Sequence, residues 1–237
     1  MLIYPAIDLY EGKAVRLFKG DYAQMTVYSD NPVEIAADFA AQGAKRIHIV
    51  DLEGARTGET PNLETVCALK RASGLFCEVG GGVRSLEVIG KYVDAGVDRV
   101  ILGTAAVTDP DFAEKAVARF GERIAVGVDI KDGCVAVKGW TEKSALDAFD
   151  FCARMEKLGV STLICTDISK DGAMQGANHG LYAQLSRRFG MHIIASGGVS
   201  SIDDVKRLRA LDIHGAIIGK AYYTGAISLR EAIEVAK

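Results

Sequence analysis

FCEVGGGVRS, residues 76–85, carries three structural instructions in ten positions. The mostly apolar run up to Val79 reads as a strand buried on both faces. The three glycines read as a turn into which the chain can bend without a Cβ in the way, and Ser85 as the cap of the helix that follows. The arrangement returns 116 positions on (196 − 80), where SGGVSS at 196–201 answers GGGVRS at 80–85. At the same spacing VDRVILGTA at 97–105 becomes IHGAIIGKA at 213–221, which sets Gly103 on Gly219. Gly43 and Asp51 fall likewise on Gly159 and Asp167. Asp8 and Gly12 correspond to Asp129 and Gly133 at a spacing of 121 (129 − 8), so the halves differ by one five-residue length change. Four strands therefore repeat as a block, and the chain reads as a duplicated half.

Outward from that repeat, doubly buried strands are expected at 2–8, 46–52, 76–81, 99–104, 124–130, 162–168, 192–198 and 215–220. Amphipathic helical patterns lie between them. Asn31-Pro32 and Asp109-Pro110 place a capping side chain ahead of proline at the first helical position, and Ser201 with Asp204 has the spacing of a capping box. In the first helix Ile35, Ala36, Phe39 and Ala40 share one face. Eight strand–helix units in 237 residues are about 30 residues each, the size of a βαβ step. The expectation is an α/β fold: a (β/α)8 TIM barrel built from two fused half-barrels, residues 1–237 forming one domain. The alternative, a doubly wound open sheet, stops at five or six strands and carries a dinucleotide fingerprint that is absent here.

Composition narrows the function classes. Hydrophobic residues make up 49% and charged residues 25%, the proportions of an ordinary globular protein. With 28 Lys+Arg against 31 Asp+Glu the net charge is −3, so there is no basic excess for a nucleic acid. The apolar runs are strand-length, which argues against a transmembrane helix, and the opening Met1-Leu2-Ile3-Tyr4-Pro5-Ala6, without a basic n-region or cleavage site, gives no expectation of a secretory signal. The five cysteines at 67, 77, 134, 152 and 165 form no CxxC pair and read as buried thiols of a cytoplasmic protein.

In a barrel of this kind the working residues stand where strands end. That rule selects Asp8, Asp51, Asp129, Thr166 and Asp167, the glycine turns, Gly103 and Gly219. Each glycine turn, with the glycine one unit later (Gly103-Thr104 and Gly219-Lys220), suits a phosphate, because converging backbone N–H groups need an approach free of Cβ. Tight turns alone would also explain glycine, but two matched copies point to a ligand with two phosphates. Asp8 and Asp129 end strands 1 and 5, opposite each other in a ring of eight, and so suit a reaction that delivers one proton and removes another. Thr166 could orient Asp129 from the neighbouring strand. Asp51 and Asp167 are candidate hydrogen-bond acceptors behind the site. Trp140, the sole tryptophan, sits in the loop after strand 5, where it could pack in a core or stack on a flat ligand. None of the four histidines is assigned a role: His48 and His192 fall inside strands, His179 and His214 at a helix start and a turn. No HExxH, Ser–His–Asp or Cys–His pattern competes, and no metal is expected.

These motifs resemble a known family. IYPAIDLYEGKAVRLFKGD at 3–21, HIVDLEGA at 48–55, EVGGGVRS at 78–85, LGTAAV at 102–107, GVDIKDG at 127–133, GWT at 139–141, TDISKDG at 166–172, ASGGVSS at 195–201 and IIGKAYY at 217–223 are together similar to the ProFAR isomerases of histidine biosynthesis, over the whole chain. The resemblance implies a cofactor-free Amadori rearrangement of ProFAR, an N-linked phosphoribosyl aminoaldose, to the phosphoribulosyl aminoketose. It implies Asp129 as the acid that opens the furanose, Asp8 as the base at C2, Thr166 as helper of Asp129, and Trp140 packed on the imidazole carboxamide. Gly81, Gly82, Arg84, Gly103 and Thr104 would hold one phosphate, and Gly172, Gly197, Gly198, Gly219 and Lys220 the other. Arg16 and Lys19, in the long loop after strand 1, would close over the ligand. The sequence departs from the family pattern at Gly172-Ala173-Met174, where a threonine is expected after the glycine, which weakens any role for a hydroxyl there and leaves the backbone N–H contacts intact. A monomer working on a bis-phosphorylated small molecule, without nucleic acid or membrane, is expected. Three readings compete: the cyclase subunit of imidazole-glycerol-phosphate synthase, which needs an ammonia-supplying partner; an isomerase that also takes phosphoribosyl anthranilate, whose recognition depends on the loops after strands 1 and 5; and a catalytically silent phosphosugar-binding barrel.

Overall fold

A computed structural model describes residues 1–18 and 20–237, and the side chain of each of these except Lys143. The chain opens with β1 (Leu2–Tyr10), β2 (Lys13–Phe18), β3 (Asp21–Ser29) and α1 (Pro32–Ala41). It continues with β4 (Arg46–Asp51), α2 (Leu52–Thr57), α3 (Leu63–Ser73), β5 (Phe76–Gly80), α4 (Leu86–Asp94), β6 (Arg99–Leu102), α5 (Thr104–Thr108) and α6 (Pro110–Phe120). The second half begins with β7 (Ile124–Lys131), β8 (Cys134–Val137), β9 (Glu142–Asp147) and α7 (Ala148–Lys157). There follow β10 (Thr162–Asp167), α8 (His179–Arg188), β11 (His192–Ser196), α9 (Ile202–Arg209), β12 (Gly215–Ile218), α10 (Lys220–Tyr223) and α11 (Leu229–Ala236).

Every stretch read as a doubly buried strand forms one, and together they make a ring. The parallel order is β1-β4-β5-β6-β7-β10-β11-β12, and β12 returns to β1 from Leu2↔Gly215 to Pro5↔Ile218. The fold is a closed eight-stranded (β/α)8 TIM barrel, so the open sheet is excluded. Observed strands stop a residue or two before the expected limits at most C-terminal ends, because the last residues there turn into caps or glycine turns. Helices pack outside the ring on a large apolar cluster that includes Ile7, Leu9, Phe39, Val79 and Leu163. Inside the ring lies a smaller cluster of Tyr4, Ala6, Ile101, Ala125, Ile164, Ile194 and Ile217.

The interior also holds charge. Glu78 is completely enclosed; Arg99 Nε donates to its Oε2 at 3.0 Å, and His48 Nδ1 lies 2.7 Å from its Oε1. Burial alone would raise this carboxyl, but the hydrogen bonds and charge of His48 and Arg99 hold it below the ordinary carboxylate range.

The long connections after the first and fifth barrel strands are hairpins, which the sequence reading took for loops. β2 and β3 extend β1 antiparallel, and β8 and β9 extend β7 in the same way. The two-residue turns are matched: Glu11 (φ 50°) and Gly12 (φ 71°) in one, Asp132 (φ 49°) and Gly133 (φ 77°) in the other. Positive φ at both central residues is the turn that suits the twist of an antiparallel pair; Asp132-Gly133 carries its sequence signal, and Glu11-Gly12 adopts the same turn with a glycine at its second position.

The duplicated half is visible in side-chain detail. Asp51 accepts from Asn62 Nδ2 at 2.8 Å, and Asp167 from Asn178 Nδ2 at 2.6 Å, an equivalent pair in each half. Both aspartates are thus the buried acceptors expected behind the site. Ser85 caps α4 by accepting from Val88 N, and Ser201 with Asp204 forms the complete capping box of α9. Asp109 caps α6 through Phe112 N. Asn31 does not cap α1; its side-chain amide donates instead to Glu34 Oε1, which leaves proline's fixed φ to start that helix.

Candidate active site

The carboxylates expected to work together stand on opposite walls. Asp8, near the end of β1, is level with Val50 of β4; Asp129, near the end of β7, is level with Thr166 of β10. β1 and β7 are the first and fifth strands of the ring, so the two acids face the same mouth from either side. Burial raises the Asp129 carboxyl, while hydrogen bonds from the Trp140 indole and the Thr166 hydroxyl pull it down. Thr166 thus hydrogen-bonds Asp129 from the neighbouring strand. Trp140 reaches Asp129 from the tip of the β8–β9 hairpin, at a positive φ of 71°. It also touches the other hairpin, where a Cβ on Gly20 would lie 2.8 Å from its Cε3. The two hairpins thus meet over the mouth.

Arg16, in β2, lies on the other acid. Its Nη1 donates to both Asp8 oxygens at 3.0 Å, its Nη2 donates to the Ala6 carbonyl at 2.9 Å, and the guanidinium stands 5.5 Å from the centre of the Tyr223 ring. Lys19 lies outside the described residues.

The glycine turns have a second reason to be glycine. Gly81 and Gly82 adopt φ of 113° and 70°, Gly197 and Gly198 φ of 88° and 83°. A Cβ on Gly81 would overlap the Asp51 carbonyl, and one on Gly82 the Gly54 carbonyl. In the other half a Cβ would lie 2.8 Å from the Asp167 carbonyl at Gly197 and 2.5 Å from the Gly176 carbonyl at Gly198. The preceding loop packs directly on each turn, so packing alone already demands glycine there. Gly103 and Gly219 differ: nothing lies against Gly103, while the Arg16 Nη2 would stand 2.7 Å from a Cβ on Gly219.

The remaining anion candidates are mostly engaged with neighbours. Thr104 Oγ1 accepts from Lys138 N at the hairpin tip, and Lys220 Nζ donates to the Gly172 carbonyl at 3.0 Å. Arg84 is exposed and lies across Gly58, on the loop after β4, rather than over its own glycine turn. The structure therefore brings together Asp8, Asp129, Thr166, Arg16, Trp140 and both glycine pairs, and leaves Arg84 at the rim.

One acid was not singled out by the sequence reading. Asp171, in the loop after β10, is lifted by burial to about 6; Arg16 opposes the rise, Asp8 and Asp129 add to it, and Lys220 opposes it. Its electrostatic neighbours are the mouth's own groups. The signal was present in TDISKDG, but two acids in that motif fall near the strand end and spacing alone does not say which one turns inward. Asp167 turns back onto Ser169 and Asn178. All five cysteines are free thiols. Among the described residues no group of three His, Cys, Asp or Glu side chains could hold a metal, and no helix is long and apolar enough to cross a membrane.

The family model for histidine biosynthesis protein matches residues 2–228, a span that takes in the eight barrel strands, both hairpins and both glycine turns. The chain belongs to the histidine biosynthesis protein family. Within the family, a protein of Desulfitobacterium hafniense (strain Y51) is 50% identical over 240 residues, 99% of this chain and 97% of its own. It is named the isomerase of 1-(5-phosphoribosyl)-5-((5-phosphoribosylamino)methylideneamino)imidazole-4-carboxamide. Proteins of the same name from Oceanobacillus iheyensis (48% over 234 residues, 99% and 98% covered) and Lactococcus lactis subsp. cremoris SK11 (49% over 233 residues, 98% and 95% covered) are similar along nearly their full lengths.

Proposed function

We propose that the chain isomerises ProFAR, the imidazole carboxamide named in its relatives, to the phosphoribulosyl aminoketose in histidine biosynthesis. The reaction is an Amadori rearrangement by acid and base. The observation that carries the reading is the pair of carboxylates at the ends of opposite strands, with a glycine turn to either side of the line between them.

Asp129, with its carboxyl raised by burial and aimed by Thr166, donates a proton to the furanose ring oxygen. The C1–O bond breaks and the nitrogen lone pair forms C=N, leaving a protonated Schiff base. Asp8 then takes the C2 proton; the C–H electron pair forms C1=C2, and the C=N pair returns to nitrogen, giving an enolamine. Tautomerisation, with a proton to C1 and the 2-hydroxyl proton lost, yields the ketone. Two phosphates far from the reacting atoms supply binding energy that fixes the sugar between the two acids. One lies toward Gly81, Gly82, Gly103 and Thr104, the other toward Gly172, Gly197, Gly198, Gly219 and Lys220. Trp140 packs on the imidazole carboxamide once it leaves Asp129. The enzyme works in this reading as a cytoplasmic monomer.

A second assignment of the acid rests on Asp171. A carboxyl lifted to about 6 retains a proton closer to neutrality than an ordinary aspartate, and it shares the field of Asp8 and Asp129.

Incubating the purified protein with ProFAR alone tests the function. Formation of the aminoketose without glutamine or ammonia supports the isomerase and not the cyclase. Absence of both product and C2 proton exchange would leave only a phosphosugar-binding barrel. Phosphoribosyl anthranilate in a parallel assay decides whether a second substrate is accepted.

A further inference from the structure

Arg16 touches two places at once. Nη1 spans both oxygens of Asp8, so neither oxygen is left free of the guanidinium. Nη2 uses one hydrogen on the Ala6 carbonyl and lies against Gly219, where a Cβ would stand 2.7 Å away. A guanidinium has five N–H donors. Three are spent on Asp8 and Ala6, and the Nε–H is buried with no partner. The spare Nη2 hydrogen and Gly219 therefore lie side by side, with the unpartnered Nε–H on the same guanidinium. Arg16 stands on the first strand of a hairpin that also carries Gly20 against Trp140, so its position is tied to the closure of the mouth.

We infer that Arg16 is a positioning residue that couples the phosphate held at Gly219 and Lys220 to the release of the base Asp8. This rests on the reading of Asp8 as base and of Gly219 as part of a phosphate site. A carboxylate with both oxygens on one guanidinium has one lone pair of each engaged and its orientation held, so it cannot turn toward a carbon-bound proton. A phosphate dianion arriving over Gly219 meets the free Nη2–H first, and the unpaired Nε–H of the same group is left to complete a fork on it. Bidentate pairing with the doubly charged group is stronger than the hold of Nη1 on a single carboxylate. Arg16 shifts onto phosphate, and an oxygen of Asp8 turns to C2. The base is thus held idle until a substrate with the correct distal phosphate is in place, and part of the phosphate's binding energy is spent at the reacting carbon. The other half has a counterpart: the β8–β9 tip is tied to Thr104 by Lys138 N, while Trp140 sits on Asp129.

The test uses ProFAR and its two mono-dephosphorylated analogues with the wild type, Arg16→Met and Arg16→Lys, following exchange of the C2 proton for deuterium. Added phosphite, a phosphate dianion surrogate, is expected to raise kcat/KM for one analogue by about 10²-fold in the wild type. In Arg16→Met the activation falls to about threefold or less, and Arg16→Lys, a point charge without the fork, recovers part of it. Equal phosphite activation in wild type and Arg16→Met overturns the coupling, as does a wild type that turns over ProFAR but shows activation with neither analogue. A wild type inactive on ProFAR itself removes the underlying functional reading, a result distinct from either. Melting curves of the variants separate loss of coupling from loss of folding.

Discussion

Asp171 shows how one side chain can be costly to the fold and useful to the site. Its carboxyl rises from 3.8 to about 6 because burial disfavours the charged form. Between those values the folded chain keeps a proton that the unfolded chain releases. The contribution of this group to stability is therefore whole below the unfolded value and is lost as pH rises through about 6. Asp171→Asn removes the charged form, so the variant should be more stable than wild type at pH 8 by about 1–2 kcal/mol, with the gap closing toward pH 4. Urea melts at the two pH values check this, and a variant less stable than wild type at pH 8 contradicts it. At this scale Asp8, Asp129 and Thr166 were legible, because strand ends and a repeat together fix where they stand. The contact of Arg16 with Asp8 was not, since it depends on a hairpin that folds residue 16 back alongside residue 8.

The two hairpins are the elements that the sequence reading missed, although their turn signals were in view as the paired Gly12 and Gly133. Those glycines were used only to align the halves; with Glu11 and Asp132 before them they also specify two-residue turns. By contrast, the capped helices were read from Asp109, Ser85 and Ser201 because a side-chain cap is a local device. The Asn31 cap failed for the same local reason, since Glu34 offers its side chain a competing acceptor. Gly12→Val and Gly133→Val force a β-branched residue to positive φ, and each should destabilise the protein by about 1–2 kcal/mol. Each should also lower kcat/KM more than kcat, because the hairpins carry Arg16 and Trp140 to the mouth. Denaturant melts with steady-state kinetics check both effects; unchanged kcat/KM in either variant would detach that hairpin from the site.

At the scale of the whole molecule, duplication explains why the site has a paired character. Matching spacings place two glycine turns on a closed ring, the structure adds two Asp–Asn locks and two hairpins, and closure puts the first and fifth strands face to face. The barrel and its paired acids were therefore readable from spacing alone. The interior charges were not: Glu78, Arg99 and His48 come from three different strands, and only closure brings them together. What the duplication does not copy is the residue on each acid, Arg16 on Asp8 and Trp140 on Asp129, and this difference suits one acid to receive a proton and the other to give one. The measurement that bears most directly on this division is kcat and KM for ProFAR with Asp8→Asn and Asp129→Asn. Each should lower kcat by about 10²-fold or more and leave KM within about threefold of wild type. Near wild-type turnover in either variant would contradict the role given to that aspartate.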